Sequence, residues 1–140
     1  SFSYSDYRIV ELWSSFMPRR KEVQNKIGIE LFNIQINPEN FDFHPNTPLV
    51  KWAAVAVSSF AIVPDEMKTL EIEEGMYAVF QYKGEQSGAP AFFNAIYSEW
   101  LPNSDYELEN RPQFEILGEK YKTNHPDSEE EIWIPIKRKI

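Results

Sequence analysis

The sequence predicts an α+β fold: an antiparallel sheet built from two strand-helix-strand-strand units, with both helices packed on one side and a ligand cleft between the units. Three observations predict it. Two segments carry apolar residues at helical spacing, several shorter segments alternate as strands do, and the order of these elements runs through the chain twice. At 140 residues the chain suits one domain with a sizeable core, and the two units are expected at roughly 5–66 and 67–140.

Taking the elements in order, residues 11–26 place Leu12, Trp13, Phe16, Met17 and Val23 largely on one stripe, with Arg19, Arg20, Lys21, Glu22 and Gln24 towards solvent. This predicts a helix that Pro18 interrupts. Residues 29–37 (IELFNIQIN) alternate, setting Ile29, Leu31, Asn33 and Gln35 against Glu30, Phe32, Ile34 and Ile36. Residues 51–58 predict a second, mostly buried strand. The stretch 68–83 reads as two strands joined at Glu74-Gly75, a hairpin whose first arm is additional to the repeat. In residues 89–101, Phe92, Phe93, Ile96, Tyr97 and Trp100 recur at helical steps, and Pro90 sits where a first helical turn tolerates it. Residues 113–117 and 131–136 predict the closing strands, separated by a turn containing Asn124, His125, Pro126, Asp127 and Ser128. Lys137, Arg138 and Lys139 then run into solvent.

Composition narrows the function. Aromatic residues make up 15% and hydrophobic residues 42%, enough to exclude intrinsic disorder. The net charge of −8 disfavours nucleic acid or an anionic membrane as the main partner. Fourteen of the 22 acids follow Leu70, so the acidity sits in the second half. Without cysteine there is no disulfide framework, thiolate nucleophile or cysteine-bound metal, which favours an intracellular, cytoplasmic setting. The longest apolar run, residues 52–63, is interrupted by Ser58 and Ser59 and falls short of the roughly 20 residues of a membrane span. The first ten residues lack the basic start and apolar stretch of a signal peptide.

Familiar chemical motifs are missing. His44 and His125 lie beside prolines without the spacing of a zinc site or a catalytic triad, and read as turn residues. GEQSG at 84–88 has neither the phosphate-loop lysine nor the Rossmann spacing. Glu129, Glu130 and Glu131 follow one another on a strand, so they point to alternate faces and are expected to solvate it. No metal and no cofactor is predicted.

One carboxylate is out of place. Glu115 lies within Phe114-Glu115-Ile116-Leu117, an otherwise apolar strand. It occupies either the wet face of that strand beside Gln113 or a sheltered, aromatic-lined cavity. An acid removed from water costs several kcal/mol unless it takes up a proton or meets a cation. Aromatic faces attract the same guests by about 0.5–2 kcal/mol per well-placed ring. A cavity of that kind favours lipophilic cations.

Together, YAVFQYKG at 77–84, YSEWLP at 97–102, RPQFE at 111–115 and EIWIPI at 131–136 resemble the GyrI-like small-molecule-binding domain, which is also the effector-binding part of AraC-type and multidrug-responsive bacterial regulators. In the first half the likeness rests on Leu12-Trp13, Arg19-Arg20 and KWAAV at 51–55. The resemblance implies a duplicated fold enclosing a central pocket. It carries the family's pocket glutamate onto Glu115, with Trp133, Trp100 and Tyr97 as pocket aromatics. Leu117 shares Glu115's face by strand parity. Trp13, Phe16 and Trp52 are further ligand-binding candidates, although helix-face rings serve ordinary packing more often than ligand contact.

Three functions follow. The first is sensing or sequestration of bulky amphipathic, cationic aromatic drugs or xenobiotics. The second is hydrolysis of strained electrophilic xenobiotics, with Glu115 as general base and Tyr97 assisting, as some relatives open such rings. The third is inhibition of a topoisomerase by protein contact. Since the repeats account for the chain, no helix-turn-helix module and no direct nucleic-acid binding are expected.

Overall fold

A computed structural model describes residues 8–37, 50–85, 88–122 and 125–140. The amphipathic start folds as α1 (Arg8–Phe16) and continues as a 3-10 turn, Met17–Glu22, with Pro18 in its first turn. Proline has no N–H to give the α-helical ladder, so the winding changes where the sequence predicts a break. Arg19 fastens this turn, donating to Glu22 at 3.0 Å and to the Asp65 carbonyl at 2.7 Å. Of the basic cluster, only Arg20 and Lys21 are fully exposed.

The strands are β1 (Lys26–Ile36), β2 (Val50–Val57), β3 (Tyr77–Lys83), β4 (Tyr106–Leu108), β5 (Gln113–Leu117) and β6 (Glu129–Arg138). They form one antiparallel sheet in the order β2-β1-β5-β6-β3, with β4 beside the end of β6. An irregularity between Lys26 and Leu31 interrupts the β1-β2 pairing, and Gly28 supplies the positive φ of 69° there. The second helix, α2 (Ala89–Ala95), has Pro90 in its first turn and is prolonged by a π turn, Ile96–Trp100. The Leu101 amide donates to the Ile96 carbonyl at 2.8 Å across that widened turn.

The predicted hairpin at 68–83 forms only its second arm. Residues 68–76 have no strand partner, and Leu70 and Ile72 face a cavity beside β2 instead. Their alternation reflects burial without a ladder to join. The short strand β4 was not predicted, since three residues cannot display a period. His44, Asn124 and the N-terminal strand of the first unit lie outside the described residues. His125 is an exposed turn residue whose Nδ1 accepts from the Asp127 amide.

Cross-strand partners share a face. On one face Ile132, Ile134 and Ile136 of β6 pack with Ala78, Phe80 and Tyr82 of β3 beneath Phe92, Phe93, Ile96 and Tyr97. On the other, Phe114, Trp133 and Tyr77 cluster with ring centroids 5.3–5.7 Å apart. The Arg111 guanidinium lies 4.6 Å from the Tyr77 ring centre and donates to the Met76 and Ile136 carbonyls, tying the entry of β5 to β3 and β6. Gly75 permits this, because a Cβ there would lie 2.4 Å from Arg111 Nη1.

Ile134 is 0% exposed at the centre of the helix-facing core. Ile134→Ala is expected to destabilise the protein by about 2–5 kcal/mol in urea unfolding, against less than about 1 kcal/mol for Val79→Ala on the exposed edge.

Candidate functional site

The register puts a polar row in the middle of the helix-facing side. Glu115 on β5 pairs with Asn33 on β1 and with Ile132 on β6, so all three point the same way as α2's apolar residues. Glu130 lies two residues before Ile132 on that face, diagonal to Glu115. On the far side of β1, Gln35 pairs with Lys51 of β2, which extends the row to the sheet edge.

Glu115 and Glu130 are hydrogen-bonded to each other. The Asn33 Nδ2 group approaches Glu115 Oε1 at 3.5 Å. Burial raises the Glu115 carboxyl above its ordinary range, opposed by the Lys51 charge and by the bonds from Glu130 and Asn33. Glu130, 9% exposed, is pushed up to about 8, first by burial and then by the neighbouring Glu115 charge. Two adjacent carboxylates cannot both ionise cheaply, so each holds its proton more tightly than a free glutamate does. Lys51 is lowered by burial and partly restored by Glu115, but the two form no ion pair within 4 Å. Glu115 is enclosed on most sides yet keeps partial exposure.

The other expected residues divide between places. Leu117 shares Glu115's face and pairs with Leu31. The Tyr97 hydroxyl donates to Gln113 Oε1, one position along the same face of β5 from Glu115. Trp100 packs edge-on against Phe80 of β3 at 5.1 Å, two strands from β5, and is 37% exposed. Trp133 pairs with Phe114, so its ring is on the opposite face of the sheet from Glu115, and its Nε1 donates to Glu131 at 3.0 Å. Trp13 sits edge-on to Phe16 at 6.1 Å. Phe16 and Trp52 line a cavity of about 700 Å³ among α1, β2 and residues 59–72, walled also by Leu12, Phe60, Leu70 and Ile72. Glu115 is not among that cavity's lining residues, whereas Lys51 is.

Glu130, Asn33 and Lys51 do not stand out in the sequence as site residues. The signal for Glu130 was its parity with Ile132, Ile134 and Ile136: one of three adjacent acids had to face the core. Among the described residues no cluster of three or more His, Cys, Asp or Glu could hold a metal, and no helix is long and apolar enough to cross a membrane.

A raised carboxyl binds its proton more tightly in the folded state, so folding is favoured below the unfolded value, near 4.5, and loses that advantage as pH climbs to about 8. Unfolding at a series of pH values is expected to show stability falling across this window by up to about 1.4 kcal/mol per pH unit, and Glu130→Gln should flatten the fall. An equal slope in the variant would remove Glu130 as its source.

The chain is 29% identical over 130 residues to the transcriptional regulator BrlR of Pseudomonas aeruginosa, covering 91% of this chain but 46% of that protein. It therefore spans about half the length of that relative. The sequence model of the GyrI-like small molecule binding domain matches residues 1–137, and the chain belongs to that family.

Proposed function

We propose that this domain binds bulky, amphipathic, cationic aromatic molecules, with Glu115 supplying the charge complement, as a drug or xenobiotic sensor or sequestering protein in the cytoplasm. The observation that carries the reading is the Glu115-Glu130 pair, a largely buried acidic site to which no base is ion-paired among the described residues. Such a pair attracts a cation that brings its own apolar surface, because the guest then loses little hydration. The apolar cavity bounded by Phe16, Trp52 and Leu12 belongs to the other side of the sheet, since Trp52 pairs with Ile34 and Ile34 with Phe114, so the apolar surface for a guest must come from Glu115's own face. Tyr97 and Leu117 flank Glu115 on its own face. Trp100, Trp13 and Trp133 lie further away, and their part is in holding the helices and sheet.

A hydrolase reading draws on one observation. The Tyr97 hydroxyl and Glu115 share a face one strand position apart, the arrangement of an acid and a hydroxyl acting on one water. Turnover of a cyclopropane-bearing or ester probe that disappears in Glu115→Gln would support it, while stoichiometric binding without product would dismiss it.

For the binding reading, fluorescence titration with a lipophilic cationic dye and a neutral analogue of the same shape gives the test. Glu115→Gln leaves Glu130 free to ionise and so loses part of the preference for the cation. Glu115→Gln/Glu130→Gln is expected to bind the cation about 10- to 100-fold more weakly, with the neutral analogue within about twofold of wild type. Equal affinity of the double variant and wild type for the cation would refute the charge role.

A further inference from the structure

We propose that the cavity beside β2 is a second ligand site, suited to a neutral, apolar organic molecule and separate from the acidic row. The inference does not depend on the binding reading at Glu115, because the two places lie on opposite sides of the sheet. Glu115 pairs with Asn33 on the α2 side, whereas Ile34 pairs with Phe114 and Trp52 on the other, and Phe32 and Ala54 share that second side.

The cavity's volume of about 700 Å³ falls within the roughly 300–1,000 Å³ of pockets that enclose a small organic molecule. The β1-β2 pair supplies Phe32, Ile34 and Trp52, α1 supplies Leu12 and Phe16, and residues 59–72 complete the wall. That last segment is not part of the sheet. Residues 68–76 pair with no strand, and Arg19 fastens the segment by donating to the Asp65 carbonyl at 2.7 Å. Val50, Phe60, Ile62 and Val63 all border the cavity, and they are four of the ten large apolar side chains left exposed among the described residues. Exposed apolar side chains scattered singly carry no meaning, but their concentration around one hollow marks a binding surface.

The charged groups around the cavity define the guest. Arg19 is neutralised by Glu22, to which its Nε donates at 3.0 Å and its Nη2 at 3.2 Å. Lys51 also borders the cavity, but it pairs with Gln35, and by strand parity its side chain turns to the polar side of the sheet. Glu66 and Lys68 are exposed and opposite in sign. Among the described residues, no uncompensated charge is therefore directed inward. A charged guest would lose hydration there with no counter-charge to offset the loss, whereas a neutral apolar guest would not.

Two dyes of one skeleton test this. N-phenyl-1-naphthylamine is uncharged at neutral pH, and 8-anilino-1-naphthalenesulfonate adds a sulfonate to the same rings. In fluorescence titration the native chain is expected to bind the neutral dye at least about tenfold more tightly than the sulfonate. Ala54→Phe, which fills the cavity from β2, is expected to weaken the neutral dye by about tenfold or more. Glu115→Gln/Glu130→Gln is expected to bind it within about twofold of wild type, since the acidic row takes no part. Amide shifts of the wild-type protein, which need no variant to fold, are expected to move with the neutral dye at residues 52–56 and 68–72 and to stay in place at 113–117. Shifts confined to 113–117, or undiminished binding by a folded Ala54→Phe variant, would overturn the location. Equal affinity for the two dyes would overturn the neutral class, and absence of binding by the native chain would overturn the site. None of these outcomes decides whether a cation binds at Glu115, which has its own titration.

Discussion

The placement of β5 between β1 and β6 governs the chemistry of this domain. In an antiparallel sheet a one-residue slip turns every side chain to the opposite face. With the observed register, Glu115 meets Asn33 on one side and lies diagonal to Glu130 on the other, beneath α2. A slipped register would exchange Glu115 for Phe114, moving a carboxyl among the Tyr77 and Trp133 rings and an aromatic ring into the polar row. The aromatic cluster on the far face and the isoleucine core on the near face both depend on the same register, so site and fold are specified together.

The sheet's two faces differ in consequence. The face away from α2 is stabilised by ring packing around Phe114 and by the Arg111 clamp joining three strands. The face towards α2 is apolar over β3 and β6 and polar over β1 and β5, so its core is incomplete where Glu115 lies. A buried acidic pair contributes little to stability and is costly when fully ionised. Its presence among apolar neighbours breaks the rule that core positions are apolar, the kind of departure expected at functional sites.

Most of the fold was legible because the strands alternate cleanly and the second helix shows a five-residue apolar stripe. Gln113–Leu117 emerged with the predicted bounds, and Pro18 marked the change of winding after Phe16. The first arm of the 68–83 hairpin does not form, because Leu70 and Ile72 alternate for burial beside β2 and not for pairing. Glu115 was legible as a lone acid in an apolar strand. Glu130 was hidden inside a run of three glutamates that looks like a solvated strand end, and Lys51 inside a segment that looks uniformly apolar. Which strands become neighbours is a long-range property, and the pairing of β5 with both β1 and β6 is what turns scattered polar residues into one row. The same register separates Trp133 from Glu115, a separation that strand parity alone does not show across two strands.

The central claim is that Glu130, packed beside Glu115, keeps its proton far above the ordinary glutamate range. Side-chain carboxyl ¹³C shifts of the two glutamates, followed by NMR from pH 4 to 9, test it most directly. The account predicts one carboxyl step near pH 8, carried mainly by Glu130, with both resonances responding to it. Two independent steps near the ordinary glutamate value would contradict it.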